Sequence, residues 1–146
     1  MSERGKRDPL HEELDQHVAD LWKATQFGGH RRGIRPAVDS YRCDDPERLV
    51  VVVDLPGVDP KTVQIILQDR TLVIAGERSR PQVCGRRYQQ MEIAYGPFQR
   101  RVHLHEHIDA GSASASYENG LFTIVLPVAK SATGPVRVPI QLGPKP

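Results

Sequence analysis

The chain has 146 residues, in which 20 lysines and arginines nearly balance 18 aspartates and glutamates, for a net charge of +2 at neutral pH. This length fits a single domain with flanking arms, and the small, dispersed charge argues against a nucleic-acid-binding protein. With 12 prolines, 12 glycines and only 5% aromatic residues, the composition favours short strands joined by turns, an all-β fold.

An amphipathic helix is predicted near the N-terminus, over about residues 9–26. Asp8-Pro9 is typical of a helix start, with a capping side chain followed by proline at the first helical position. The apolar residues that follow form one stripe at helical spacing. They are Leu10, Leu14, Val18, Leu21 and Trp22. A Gly/Arg-rich linker over residues 27–35 follows, so we expect the stripe to pack on a neighbouring subunit or on client protein. The alternative is an ordinary helix docked on its own domain.

From Pro36 onward, short β-prone runs separated by turn signals at intervals of about 8 to 12 residues predict a sandwich or barrel. The expected strands cover residues 37–42, 48–54, 62–67, 71–76, 88–94, 98–104, 113–118 and 121–126. Asp69-Arg70 and Asn119-Gly120 are predicted as tight turns, and Asn-Gly is typical of a hairpin. Two hairpins are therefore expected.

The third expected strand has a feature of its own. Val63, Ile65 and Leu67 alternate with polar residues and form its core face, whereas Ile66 puts an apolar side chain on the second face. We expect Ile66 to line an exposed groove. With the three alternating residues, it forms the predicted acceptor for a visiting strand.

The polar stretch over residues 77–87 has no apolar periodicity and forms a long loop. After it, Met91, Ile93 and Tyr95 alternate and are suited to pairing with a partner's sheet. We predict this loop and residues 88–94, beginning at Tyr88, as a dimer arm. At least one of Arg100 and Arg101 is expected to pair with a carboxylate there; the alternative is a solvated arginine.

The C-terminal tail contains an apolar motif, Val138-Pro139-Ile140, beyond the Pro/Gly spacer of residues 130–135. Proline holds an extended φ, and the residues on either side of it point the same way, as in a strand laid along a sheet edge. We expect the tail to project from its own domain and bind another chain. The spacing repeats at residues 136–138 and 140–142, so the register is uncertain by two residues; a frayed terminus is the alternative.

The sequence contains no motif of catalytic or nucleotide-binding chemistry, so we expect no enzyme activity, no cofactor and no metal. His103, His105 and His107 alternate, and a metal site, a pH-sensitive element or plain solvated histidines all fit them. Cys43 and Cys84 match no metal spacing and make a poor disulfide framework; Cys84 fits either a redox-sensitive or a passive thiol. No run approaches the ~18 apolar residues of a membrane span, and the N-terminus lacks an apolar signal region. We expect a cytoplasmic protein without a membrane partner.

Four motifs, taken in order, resemble those of an α-crystallin domain. They are Val52-Val53-Asp54-Leu55-Pro56-Gly57-Val58, Ala75-Gly76-Glu77-Arg78, Tyr95-Gly96-Pro97-Phe98-Gln99-Arg100, and Ala115 followed by Asn119-Gly120-Leu121-Phe122-Thr123-Ile124. The chain is similar to the small heat-shock proteins of bacterial, archaeal and plant type over about residues 36–127, and Val138-Pro139-Ile140 matches their C-terminal anchoring motif. One departure is Leu104-His105, where the family usually has Leu-Pro, so the strand is free to continue.

The resemblance implies an immunoglobulin-like β-sandwich over residues 36–128, between an N-terminal arm of residues 1–35 and a flexible extension of residues 129–146. It implies an ATP-independent holdase that binds partly unfolded proteins and prevents their aggregation. The dimer would form by exchange of the arm residues Tyr88, Met91, Ile93 and Tyr95 near Arg100, and larger homo-oligomers would form through the tail. The apolar stripe and Phe27 are expected to bind clients. The alternative is a co-chaperone-type sandwich adaptor that docks one defined partner.

Overall fold

The computed structural model describes residue 16, residues 33–130 and residues 135–144. Within them the chain forms nine strands: β1 Val38–Cys43, β2 Arg48–Asp54, β3 Gln64–Gln68, β4 Thr71–Arg78, β5 Gly96–His103, β6 Ser114–Glu118, β7 Leu121–Pro127, β8 Val136–Arg137 and β9 Ile140–Leu142. Short 3₁₀ turns cover Pro60–Thr62 and Ala110–Ser112. The predicted N-terminal helix lies outside the described residues except for Gln16, which is helical.

The strands form two sheets that pack as a β-sandwich. One sheet has the order β1-β2-β7-β6-β9 and the other β5-β4-β3-β8. Alternation explains the core: Val51 and Val53 of β2 and Phe122 of β7 point inward and are fully buried against Ile74 of the facing sheet. The prediction of an all-β sandwich is confirmed.

Both predicted hairpins are present. Asp69, with φ of 50°, begins the turn between β3 and β4, and Asn119-Gly120, with φ of 53° and 79°, joins β6 to β7. Positive φ at both central residues is the conformation that Asn-Gly favours in a two-residue hairpin. Gly120 is also required sterically, because a Cβ there would lie 2.9 Å from Cβ of Pro56.

The predicted strand over residues 88–94 is wrong for the single chain, since residues 79–95 form an irregular loop. β4 pairs directly with β5 along its whole length, from Thr71 opposite His103 to Arg78 opposite Gly96. The chain thus runs from β4 into β5 without a strand between them, and residues 79–95 join neither of the edge strands β1 and β5. A strand without a neighbour would leave its backbone groups unpaired. β5 also ends at His103 and does not continue past Leu104.

The expectation that the tail projects away from its own domain is wrong as well. β8 pairs antiparallel with β3, and β9 pairs parallel with β6, so the tail crosses from one sheet to the other. The edges of β3 and β6 carry backbone donors and acceptors that pair with the returning chain. The tail thus closes one open side of the sandwich.

Candidate functional site

The tail occupies a groove between β3 and β6, here called the tail groove. Backbone hydrogen bonds hold it on both walls: the amide of Val138 donates to the carbonyl of Ile65 (2.9 Å), and the amide of Ala115 donates to the carbonyl of Pro139 (3.1 Å). Further along, the amide of Gly143 donates to the carbonyl of Tyr117 (3.1 Å). This is strand addition to two edges at once, the geometry by which extended peptides bind sheets.

The side chains of the tail motif divide as strand geometry requires. Val138 is 4% exposed and belongs to the hydrophobic core, and Ile140 packs against that core from the groove's rim. Pro139 between them is exposed. Because Pro139 lacks an amide donor and its carbonyl is the group that bonds to β6, proline at this position costs no hydrogen bond in the groove.

The predicted acceptor residues fall on two faces of β3. Val63, Ile65 and Leu67 are buried in the core on the groove side, and Leu67 pairs with Val136 of the tail. Ile66 does not line the groove: alternation turns it to the opposite face of the sheet, where it is fully buried outside the core cluster.

The second wall of the tail groove, formed by β6, was not predicted from the sequence. It consists of Ala115, opposite Ile140, and Tyr117, opposite Leu142. The available signal was the run of small residues at 113–116, because a small inward side chain leaves room for a neighbouring apolar one. Tyr117 also fixes the wall, since its hydroxyl donates to the carbonyl of Leu55 at 2.9 Å.

The predicted dimer arm lies in the loop of residues 79–95, here called the exchange loop. Tyr88, Met91 and Ile93 are 46%, 60% and 66% exposed, whereas Tyr95 is half-buried. Arg78 anchors the loop's C-terminal end, since its Nε donates to the carbonyl of Ala94 at 2.9 Å. The exchange loop thus presents its alternating apolar side chains to solvent from a fixed base.

Arginine side chains organise the tip of the exchange loop around two tyrosines. The guanidinium of Arg80 lies 4.9 Å from the ring centre of Tyr88 and 4.7 Å from that of Tyr95, and Arg86 lies 5.2 Å from the Tyr88 ring. Arg86 also donates a hydrogen bond to the Tyr88 hydroxyl. Hydrogen bonding from Arg80, and less strongly from Arg86, lowers the pKa of Tyr88 below its ordinary value. Cation–π contacts of this kind hold the loop while leaving its apolar groups exposed.

The strand edge on the opposite side of the sandwich from the tail groove is β1. Its four central residues, 39–42, are exposed. At its end Arg42 forms ion pairs with Asp44 (3.1 Å), Glu47 (3.3 Å) and Glu106. A cleft of about 200 Å³ opens beside it. Its lining includes Tyr41, Leu49, Leu104, His103 and His105.

Arg100 lies on β5, the edge of the other sheet, where its Nε is buried and has no hydrogen-bond partner among the described residues. Arg101 alternates to the outer face. The rings of His103 and His105 meet edge to face at 5.3 Å. Within residues 33–130 and 135–144, no group of three or more metal-ligating side chains comes together.

Cys43 and Cys84 are both free thiols, the first half-buried and the second exposed in the exchange loop. The predicted client-binding residues of the arm lie outside the described part of the chain. They are Leu10, Leu14, Val18, Leu21, Trp22 and Phe27. No helix in the described part of the chain is long and apolar enough to cross a membrane.

Known proteins match this chain over the sandwich and the tail. The model of the Hsp20/alpha crystallin family matches residues 42–141. A probable 15 kDa heat shock protein of Leptospira interrogans is 35% identical over 108 residues, covering 73% of this chain and 80% of the relative. The 16.9 kDa class I heat shock protein 1 of Triticum aestivum is 36% identical over 127 residues, covering 77% and 83%.

Solved structures agree with the sequence relatives. Heat shock protein 16.0 from Schizosaccharomyces pombe superposes with a TM-score of 0.62 at 30% identity, covering 68% of this chain and 93% of that one. A small heat-shock protein from Xylella fastidiosa, described as having a distinct high-order structure, gives a TM-score of 0.59 at 30% identity, with coverage of 76% and 98%. The chain therefore belongs to the Hsp20/alpha crystallin family, the small heat-shock proteins, and has the chaperone role that this family implies.

Proposed function

We propose that this protein is an ATP-independent holdase, which binds partly unfolded proteins and keeps them from aggregating. The family match over residues 42–141 carries the proposal. A holdase needs reversible apolar contact and no chemical step, since stress-unfolded clients expose apolar surface that can be covered. Each Å² of apolar area removed from water contributes ~25 cal/mol, so a few hundred Å² give useful and reversible affinity. We propose no catalytic residue, cofactor, nucleic acid or membrane partner.

The client-binding surface is proposed to be the apolar stripe of the N-terminal arm, from Leu10 to Trp22, together with Phe27. The support is its sequence pattern, in which five apolar side chains repeat at helical spacing next to a Gly/Arg-rich linker. Apolar contact is non-directional, so such a stripe can bind many different unfolded sequences. A cytoplasmic location stays a prediction.

The dimer is proposed to form by exchange of residues 88–94 onto the exposed edge of β1 in a partner. Three features support it: the edge of β1, which pairs with no further strand among the described residues, the exposed Met91 and Ile93, and the absence of a strand partner for residues 88–94 within the described chain. Glu92 is the carboxylate within residues 88–94. We propose that it pairs with the partner's Arg100, because the Nε of that side chain is buried without a hydrogen-bond partner among the described residues and an unsatisfied buried donor is costly.

Larger assemblies are proposed to form when Val138-Pro139-Ile140 of one subunit enters the tail groove of another. The contacts of the tail groove support this, because they consist of backbone hydrogen bonds and apolar packing, which the same segment of a second chain can make equally well. The structure described for the Xylella fastidiosa relative, a distinct high-order structure, also favours an assembly. Replacing both Val138 and Ile140 by alanine is expected to reduce the native mass measured by light scattering.

An aggregation assay tests the proposed function. A thermolabile enzyme is heated with the full-length protein, without nucleotide and then with ATP, and turbidity is followed. We expect suppression that ATP does not change. In the stripe variant Leu14→Ser, Leu21→Ser and Trp22→Ser, suppression should be largely lost.

The matched control replaces polar residues of the same segment, His11→Ser, Asp20→Ser and Lys23→Ser, and should keep its activity. If the wild-type protein fails to suppress turbidity, the holdase proposal is refuted. If the stripe variant protects as well as the wild-type protein, clients bind elsewhere and the assignment of the arm is wrong.

A further inference from the structure

The β5-β4-β3-β8 sheet has buried apolar side chains on its outer face, the face turned away from the sandwich core. Ile65 and Leu67 point into the core, so Ile66 points outward, and the same alternation turns Val73 and Ala75 of β4 outward. These three side chains are only 0%, 3% and 2% exposed, although they do not belong to the core cluster. An outer sheet face with so little exposure is a covered surface.

The polar neighbours of these apolar side chains support the same conclusion. Gln64 and Gln99 pair with Ala75 from either side on the outer face. Their Oε1 atoms are buried and accept no hydrogen bond from any residue that the structure describes. A solvated sheet face would leave these amides to water, so the face is built to be covered by another segment.

The strand register gives this face a defined charge pattern. Across the four strands, Arg101 of β5, Val73, Ile66 and Arg137 of β8 stand side by side in one lateral line. Here they are called the outer row. The two central residues of the outer row are apolar, and a guanidinium group lies at each end. This arrangement is complementary to an apolar helix stripe that has carboxylates on both sides.

The N-terminal arm has that composition and reaches the face. Its predicted helix combines the apolar stripe with four acids and one lysine over residues 12–23, namely Glu12, Glu13, Asp15, Asp20 and Lys23. The chain enters the domain at this same sheet, because the amide of Ile34 donates to the carbonyl of Pro97 (3.4 Å) and Ile34 bridges to Phe98 on the β5 edge.

The length of the predicted helix agrees with the length of the strands on which it would lie. A helix over residues 9–26 would be about 27 Å long at 1.5 Å per residue, and β4, with eight residues, is about 26 Å long at 3.3 Å per residue. The linker of residues 27–33 can span up to about 23 Å. The helix therefore matches the strands in length and is tethered within reach of the outer row.

We propose that the arm of each chain docks its apolar stripe on the outer face of its own β5-β4-β3-β8 sheet, with Ile66 and Val73 beneath the stripe and Arg101 and Arg137 facing its acids. The consequence for clients rests on the proposed function: the client-binding stripe is stored on this face at rest. Because Arg137 belongs to the tail, tail docking completes the surface that holds the arm, and the two ends of the chain are coupled.

Trp22 is the single tryptophan of the chain and lies in the stripe, so its fluorescence reports docking without any client. We compare Val73→Lys with the matched control Val125→Lys, which introduces the same charge on the outer face of the other sheet. Val73→Lys should shift the emission to longer wavelength and at least double the acrylamide quenching constant, while Val125→Lys should change neither.

A milder variant guards against a loss of fold, which circular dichroism would reveal. Arg101→Glu combined with Arg137→Glu alters two exposed side chains and should also increase quenching of Trp22. If Trp22 stays as protected as in the wild-type protein in folded Val73→Lys and in the double variant, the proposal is overturned. The fluorescence of Trp22 is measured without a client, so it does not depend on whether the protein protects clients. The proposal of arm docking and the proposal of holdase activity can therefore be refuted independently.

Subunit mixing distinguishes the chain's own face from a neighbour's. Val73→Lys subunits, which carry Trp22, are mixed with a large excess of Trp22→Phe subunits, which have intact outer rows. Docking on the own sheet predicts that Trp22 stays exposed after exchange. Recovery of the wild-type emission would mean that the arm binds a neighbouring subunit, and would overturn the assignment to its own sheet.

Discussion

Val138 is the most buried residue of the described tail. The variant Val138→Ala therefore tests how strongly its side chain stabilises docking of the tail in the tail groove. The side chain is 4% exposed and lies within the core. Removing two buried methyl groups at about 0.8 kcal/mol each weakens docking by about 1.6 kcal/mol. Since about 1.4 kcal/mol corresponds to a factor of ten, the fraction of undocked tails should rise about fifteenfold.

Hydrogen exchange followed by mass spectrometry reads this out at the groove wall, because the Ala115 amide is bonded to the carbonyl of Pro139. Its exchange should accelerate by the same factor as tail opening. The control Pro139→Ala keeps that carbonyl and removes only an exposed ring, so its effect is limited to chain entropy, about 0.4–1 kcal/mol. If the Ala115 amide exchanged hydrogen at the same rate in Val138→Ala and in the wild-type protein, the contribution of the Val138 side chain to tail docking would be refuted.

Three further outcomes are expected. Ile93→Asp should lower the native mass in light scattering by blocking strand exchange, whereas Val83→Asp, equally exposed but outside residues 88–94, should not; equal masses would count against the exchange. Gly120→Ala should lower the midpoint of thermal unfolding, because its φ of 79° costs an L-residue about 1–2 kcal/mol and the new Cβ meets a proline at 2.9 Å; an unchanged midpoint would contradict the turn. Arg80→Met should raise the pKa of Tyr88 in a phenolate absorbance titration, since the lost hydrogen bond and charge favoured the phenolate; an unmoved titration would remove Arg80 as its cause.

The parts of the fold that the sequence predicted are those fixed by local chemistry. The valine-rich run of β2 was predicted at residues 48–54, as observed, because consecutive β-branched residues bounded by turn signals favour a strand. Asn119-Gly120 required a hairpin through its positive φ values. These signals depend on residues that are neighbours in the chain.

The parts that the sequence could not predict depend on which edges are open. Residues 88–94 have the alternation of a strand, but β4 pairs directly with β5, and the segment between them joins neither edge strand of the described chain. The sequence pattern of the tail motif is the same whether the tail binds its own domain or another chain. Its pairing with β3 and β6 of its own chain could therefore not be predicted from the sequence. Ile66 was correctly singled out as apolar on the second face, yet only its full burial in the structure shows that this face is covered.

The tail groove contains nothing that distinguishes a chain's own tail from a neighbour's, since backbone bonds to Ile65 and Ala115 and the apolar seat of Val138 are the same in both cases. Which tail occupies it is therefore decided by relative concentration. A tail joined to its own domain by a short linker has an effective concentration of about a millimolar, and packed subunits in the proposed assembly would offer a comparable value. In the assembly proposed above, replacing one tail by another changes which subunits are connected, and β3 and β6 are paired both before and after the exchange. We therefore expect subunits to leave and rejoin the proposed assembly with β3 and β6 covered by their own tails, so that these two edges do not pair with unfolded chains and nucleate the aggregation that a chaperone must prevent.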